Sequence, residues 1–346
     1  MLNRIKSFRD VRDAIARDDV GKFDVTLPIE SVRMRTDNGA IYNTLLDPSH
    51  IDYQRPALLP NDHALGQLLQ RTGIDVRYGR KAFAADPYLI AEHVNYWIES
   101  GELPGIKDAN DVSERKWFLR GKNNMLRAVL TDRYGQLDNE FAFSALSTVL
   151  KDESSVRDMG FFLDPKYLNA RMVFPQLKVN LGTLQNPDLV FVGFHFVNSE
   201  VGCSSVRIDC CLYRQVCSNG MIVRVDGEML LQQRHANITQ NELQNRVAEA
   251  LTKAIKVGDG AIQAFAKSRE VKVEDPLELI SKLAKTEKYS QAFTDTIKDS
   301  FQSEPGDTAY HVVNAFTHAA KSLPIEQRLE VETFAGKFMQ NVEAYM

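Results

Sequence analysis

The sequence predicts an α+β fold: a mixed or antiparallel sheet flanked by helices, with a helical C-terminal part. Three observations point there. Apolar runs of strand length or strand alternation, bounded by turn residues, concentrate between residues 115 and 225. Helix-start signals stand on both sides of them, at Asp62, Asp86-Pro87, Thr239 and Asp275-Pro276. From Thr239 onward the apolar spacing is helical.

Residues 1–56 read as an arm, with a charged amphipathic stretch around Ile5, Phe8, Val11 and Ile15, then a run in which Phe23, Val25, Leu27 and Ile29 alternate. Such a strand can add to the sheet edge of a neighbouring copy, which makes the arm the expected connector of an oligomer. Asp62 caps a helix carrying Ala64, Leu65, Leu68 and Leu69 that stops at Thr72-Gly73. Asp86-Pro87 opens another, with Leu89, Ile90, Val94, Trp97 and Ile98 inward and Gly101 behind it. Residues 116–119 and 125–130, on either side of Gly121-Lys122-Asn123-Asn124, form a β-hairpin. A helix follows from Asp138, with Phe141, Ala142, Ala145 and Leu146 on its apolar stripe.

Three more strands come next. Pro175 places the first at an edge; residues 189–197, apolar on both faces, belong in the centre; the third runs from Val206 to Val216. Thr239-Gln240-Asn241-Glu242 is a capping box, and Gly258-Asp259-Gly260 reads as a break in the helix it opens. Asp275-Pro276 and Thr308 begin later helices, and Pro324 separates the last two. The chain divides into an arm (1–56), an α+β core with the basic hairpin (57–235) and a helical region (236–346).

Among 346 residues, 25% charged and 44% hydrophobic is globular composition, which excludes collagen-like and wholly disordered chains. The net charge of −4 excludes a histone-like polycation, so a nucleic-acid site has to be a local basic patch. No apolar stretch approaches the roughly 18 residues of a membrane span, and the N-terminus lacks a signal-peptide core, so the expected location is the cytoplasm of the host cell. Cys203, Cys210, Cys211 and Cys217 fall within fifteen residues, but adjacent Cys210 and Cys211 point to opposite faces of a strand, and reduced, buried thiols are expected rather than zinc ligands. His311 and His318 share a helix face without a third ligand type nearby, and His195, flanked by phenylalanines, reads as a buried, hydrogen-bonded histidine. Phosphate-loop, H-E-x-x-H and G-x-S-x-G signatures are missing. No catalytic residue, metal or cofactor is therefore assigned.

The informative segment is residues 115–134, RKWFLRGKNNMLRAVLTDRY. Arg115, Lys116, Arg120, Lys122, Arg127 and Arg133 face a single acid, Asp132, so the local charge is +5. Trp117, Phe118 and Tyr134 lie among the cations. Cations for phosphates and aromatic faces for bases are what single-stranded nucleic acid requires. On the third strand, Val206, Ile208, Cys210 and Leu212 share one face while Arg207 and Tyr213 lie on the other, extending the candidate contact set. Arg214 falls on the apolar face, where a guanidinium must find a carboxylate or carbonyls, or sit at a bulge, so a structural role is expected, or a ligand-facing one if the sheet face opens.

Three segments carry a resemblance: 126–134 with Leu137-Asp138-Asn139, 197–205 (VNSEVGCSS), and 214–221 (RQVCSNGM). With weaker echoes over roughly residues 57–320, they resemble the phage/plasmid-like proteins of the domain of unknown function 932. The resemblance implies a phage, prophage or plasmid origin and supplies no catalytic residues. Its hairpin-then-helix segment is similar to that of phage single-strand annealing proteins of the Rad-fifty-two type, an analogy of fold. The expected function is non-catalytic binding or annealing of single-stranded DNA as a homo-oligomer. The alternatives are a phage interaction protein that inhibits a host defence component, and an enzyme acting on nucleic acid.

Overall fold

The structure, a computed structural model, describes residues 8–44, 57–104, 115–150, 156–215, 219–223 and 229–346, with the backbone alone at 157–159 and 219–223. It opens with helix α1 (Phe8–Asp19) and strand β1 (Lys22–Pro28), followed by the short strands β2 (Val32–Met34), β3 (Ile41–Asn43) and β4 (Leu59–Pro60). Helices α2 (Asp62–Arg71), α3 (Val76–Ala85) and α4 (Pro87–Ser100) precede the hairpin β5 (Lys116–Lys122) and β6 (Met125–Thr131). Helix α5 (Asn139–Leu150) leads to β7 (Arg157–Leu163), β8 (Leu168–Asn180), β9 (Leu189–Asn198), β10 (Val206–Arg214), β11 (Asn219–Val223) and β12 (Leu231–Gln233). The rest is helical: α6 (Gln240–Lys267), α7 (Pro276–Thr286), α8 (Gln291–Ser303), α9 (Ala309–Ala319), α10 (Ile325–Gln340) and a last turn, α11 (Val342–Tyr345).

The fold is α+β, but its strands form two principal sheets rather than one spanning residues 115–225. The first has the order β1-β5-β6-β4, antiparallel except for the parallel β4–β6 pair. The second has the order β11-β10-β9-β8-β7, antiparallel throughout, with β12 also on β10. As the doubly apolar pattern requires, β9 is central. Strand β8 is not an edge strand, because β7 pairs with its residues 168–173; Pro175 lies beyond that paired stretch, where the β8–β9 register shifts between Val173 and Lys178, a bulge in which no ladder N–H is needed. Val216 and Cys217 lie outside the described residues.

The arm is not a separate connector over its described part. Seven residues of β1 pair with this chain's own β5, from Lys22↔Lys122 to Pro28↔Lys116, and α1 buries Val11 and Ile15 in the main core. Helix starts follow their chemistry. Asn61, one residue ahead of Asp62, accepts from the Ala64 N–H at 2.8 Å; Asp86 caps α4, Asp275 caps α7, and the Thr239/Glu242 capping box is complete. Helices α3 and α8, capped by Asp75 and Ser290, are additional to those expected.

The Gly258-Asp259-Gly260 break is absent, for α6 runs unbroken through it. A Cβ at Gly258 would stand 2.0 Å from Val192 Cγ1, so this glycine lets the helix approach β9. The main core lies between the second sheet and the C-terminal helices, around Phe143, Phe194, Phe196, Phe316 and Phe338. A second core, with Leu68, Ile90, Val94, Trp117 and Leu119, fills the space between the first sheet and helices α2 and α4. Leu89, expected inward, is exposed on α4.

Candidate nucleic-acid interface

The hairpin is buried on both faces. Trp117 and Leu119 enter the second core, while Phe118, Ala128 and Leu130 meet Val201 on the opposite side. Arg120 pairs with Ala128 and Gly121 with Leu126, so Arg127 is the extra residue of a β-bulge. Arg120 and Arg127 both reach Glu200, and neither reaches solvent, being 2% and 6% exposed.

Their charges are spent internally. Asp24 accepts from Arg120 Nε at 2.9 Å and Nη2 at 3.0 Å; Asp138 lies 2.7 Å from Nη1, which also donates to the Glu200 backbone carbonyl. Arg127 donates to Glu200 Oε2 at 2.8 Å, and Lys122 to Asp18 at 2.8 Å. Burial works against charge on Glu200, yet the Lys22 ammonium, Arg127 and the Asn139 N–H outweigh it and hold the carboxyl down to about 2. Burial likewise opposes the Arg120 guanidinium, and Asp138 and Asp24 more than restore it.

These placements correct the expected contact set. Trp117, Arg120, Arg127 and Tyr213 are buried and unavailable to a ligand. Tyr134 is half-buried: its hydroxyl donates to the Ser199 carbonyl at 2.9 Å, and its ring stacks on Phe118 and, at 4.7 Å, on His235. Arg207 is half-buried beside Asp209, in the other sheet. Arg115, Lys116 and Arg133 remain exposed at the open end of the hairpin, where Asp132 reduces their joint charge to +2. Sequence alternation could not show this, since the neutralising acids Asp18, Asp24 and Glu200 are remote in sequence.

Asp18, Asp19 and Glu200 bring carboxylate oxygens within 4.8 Å of one another. Their centre is taken by an ammonium: Lys22 Nζ lies 2.7 Å from Asp18, 2.6 Å from Asp19 and 2.8 Å from Glu200. The three histidines singled out in the sequence have neutral side-chain partners, His311 with Thr308 at 2.8 Å, His318 with Ser300 at 3.2 Å, and buried His195 with Asn169 at 3.0 Å. Cys203 Sγ lies 3.5 Å from His63 Nε2. Burial pushes that thiol up and that imidazole down, which favours the neutral pair over the thiolate–imidazolium form of a nucleophilic cysteine. Of the partners open to Arg214, the structure supplies carboxylates, Asp188 at 2.8 Å and Glu304 at 2.6 Å.

The mixture of aromatics and cations reappears on a surface that sequence patterning did not single out. Gly79 seats α3 against Leu69 of α2, where a Cβ would come within 2.6 Å of Leu69 Cδ1. The seat turns Arg77, Tyr78, Arg80 and Lys81 outward, in a helix without an acid. Arg80 pairs with Asp62 at 2.9 Å; Arg77 and Lys81 pair with no described residue. On α4, which packs against α3, Tyr88 and Tyr96 point to solvent. Tyr78, Tyr88 and Tyr96 are 49%, 54% and 62% exposed, unusual for aromatic side chains in a folded chain. The signal available beforehand was the run Val76-Arg77-Tyr78-Gly79-Arg80-Lys81.

Among the described residues no helix is long and apolar enough to cross a membrane. No family model, curated protein or solved structure matches the chain.

Proposed function

We propose that this chain is a non-catalytic protein that binds single-stranded nucleic acid, DNA in the first instance, in phage or plasmid DNA metabolism, and that the strand lies over α3 and α4. The carrying observation is three exposed tyrosines on the packed helices α3 and α4, together with Arg77 and Lys81 of α3, which pair with no described residue. Arg115, Lys116 and Arg133 supply a second, weaker run of positive charge. The biological setting rests on the resemblance of the three sequence segments. Assembly as a homo-oligomer belongs to the same reading, because few phosphate contacts per copy give useful affinity when copies line up along one strand.

Fluorescence anisotropy of a labelled single-stranded oligonucleotide beside a duplex, over a salt series, tests this. Replacing Tyr78 and Tyr96 by Ala should weaken single-strand binding by about 1–3 kcal/mol for each lost stack. Replacing Arg77 and Lys81 by Ala should flatten the slope against log salt by about 1.4. Absence of single-strand binding at low salt sinks the proposal.

A second reading, a protein that docks on a host defence component, is favoured by Leu89 and Tyr96. They stand seven residues apart on α4, both exposed, in the spacing of anchors on a helix face. Leu89→Asp leaves strand binding intact under the first reading and abolishes partner capture under the second.

A further inference from the structure

A cleft of about 580 Å³ opens between α10 and the face of the second sheet that looks away from the main core, far in sequence from α3 and α4. Its floor is a row across three strands: Asn169 of β8 is registered with Val197 of β9, and Val197 with Arg207 of β10. The next row, Arg171, His195 and Asp209, is wholly buried and holds the first in place. His195 Nε2 bonds Asn169 Oδ1 at 3.0 Å, and Asp209 lies 3.1 Å from Arg207 Nε. Arg171 is tied down by Glu332 of α10 at 2.7 Å, so the floor and the helical wall form one braced unit.

This bracing leaves two donors without hydrogen-bond partners. Asn169 is 2% exposed, and its amide Nδ2 makes no hydrogen bond to a described residue; Arg207 has Asp209 as its ion-pair partner, 3.1 Å from Nε, and its guanidinium makes no hydrogen bond to a described residue. Both side chains line the cleft, where their free N–H groups can meet an acceptor. The opposite wall is mostly acidic, with Lys337 of α10 the cation in the same lining. Glu326 and Glu330 stand one turn apart on α10 and Glu287 follows α7, all lining the cleft. Like charges at that spacing repel on an isolated helix. Burial raises the Tyr289 hydroxyl in the cleft, and the charges of Glu287 and Glu330 raise it further. Phe334 and Leu329 provide apolar lining between the two ends.

Donors preset on the floor and carboxylates on the rim match a molecule with an anionic and a cationic end. We propose that this cleft binds a basic amino acid, its carboxylate on Arg207 and Asn169, its cationic side chain among Glu326, Glu330 and Glu287. The volume lies within the range of small-molecule sites and leaves room for the same chemistry presented as a dipeptide. The site is independent of the strand-binding surface, and neither stands or falls with the other.

Calorimetry on the full chain decides it, with L-arginine, agmatine, valerate and glycyl-arginine as probes. L-arginine should bind saturably. Agmatine, which lacks the carboxylate, and valerate, which lacks the cation, should each bind at least about tenfold more weakly, the loss of one charge-assisted contact. Glu330→Gln, at an exposed position, should weaken L-arginine about tenfold while leaving the melting temperature unchanged. Arg207→Lys, which keeps a cation for Asp209, should weaken it as well and guards against misfolding of an alanine variant. Tighter binding of glycyl-arginine than of L-arginine would assign the site to a peptide terminus and overturn the free amino acid as ligand. No saturable heat up to about 10 mM with any probe, or agmatine equal to L-arginine, overturns the proposal.

Discussion

Glu200 is the residue on which the N-terminal strands and the rest of the molecule converge. Its carboxylate receives Lys22 of β1, Arg127 of β6 and the Asn139 N–H at the start of α5. Removing one partner of such a buried group leaves the others uncompensated, so Glu200→Gln should lower the unfolding free energy by about 3–5 kcal/mol, measured from the denaturant midpoint. Its pH dependence has a definite sign. The carboxyl is held at about 2 in the folded protein against an ordinary 4.5, so its contribution is complete above 4.5 and is lost as pH falls towards 2. His235 adds a second acid-sensitive window. Burial, then the nearby Arg120 charge, lowers its imidazole to about 4 from 6.5, so the unfolded chain takes up the proton first and stability declines as pH falls from 6.5 to 4. Melting temperatures should therefore drop in two stages on acidification, and His235→Phe should shrink the upper stage, to which His63, His311 and His318, lowered by burial as well, also contribute; an unchanged upper stage in that variant refutes the assignment.

Helix α6 shows at the scale of one element why two glycines with the same sequence signal differ. Gly258 is buried against Val192 of β9, whereas nothing lies within 4 Å of a Cβ placed on Gly260. Gly260→Ala should stabilise the protein by about 0.5–1 kcal/mol through helix propensity. Gly258→Ala gains the same propensity but forces the helix off the sheet, and a net loss of about 1–3 kcal/mol is expected. Thermal denaturation of the pair checks both signs. If Gly258→Ala is also stabilising, the close approach of α6 to β9 is wrong.

At the scale of the whole molecule, the arm is structural. Deleting it by starting the chain near Tyr53 removes α1 and β1, uncovers the edge of β5 and strips Arg120 of Asp24 and Glu200 of Lys22. The truncated chain should be poorly folded by circular dichroism and aggregate in light scattering, since an exposed edge strand and unpaired buried charges both favour association. A smaller, well-folded species would return the arm to the role of a connector. The same logic limits mutagenesis of the hairpin: Lys116, Arg120 and Lys122 changed together to Ala would lose any binding through unfolding, whereas Arg77 and Lys81 can be changed without disturbing the fold.

Local chemistry was legible in the sequence. Caps at Asp86, Thr239 and Asp275, the central position of the doubly apolar strand β9, and the need of Arg214 for some compensating partner all depend on residues within a few positions or on the cost of burying a lone charge. Two sheets instead of one, the helix approach at Gly258, and the place of β1 were decided by tertiary packing, because each depends on which distant surface a segment meets. The candidate site shows the division most clearly. The sequence located the cations and aromatics of residues 115–134, and the tertiary structure gave Arg120, Lys122 and Arg127 to Asp24, Asp18 and Glu200, acids up to 104 positions away. A cation's net effect depends on the nearest opposite charge in space. Linear charge counting sees neighbours in the chain, so it found the charge of the hairpin and missed its neutralisation, and it passed over α3, whose Tyr78 is turned to solvent with Gly79 packed on Leu69, and the exposed Tyr88 and Tyr96 of α4.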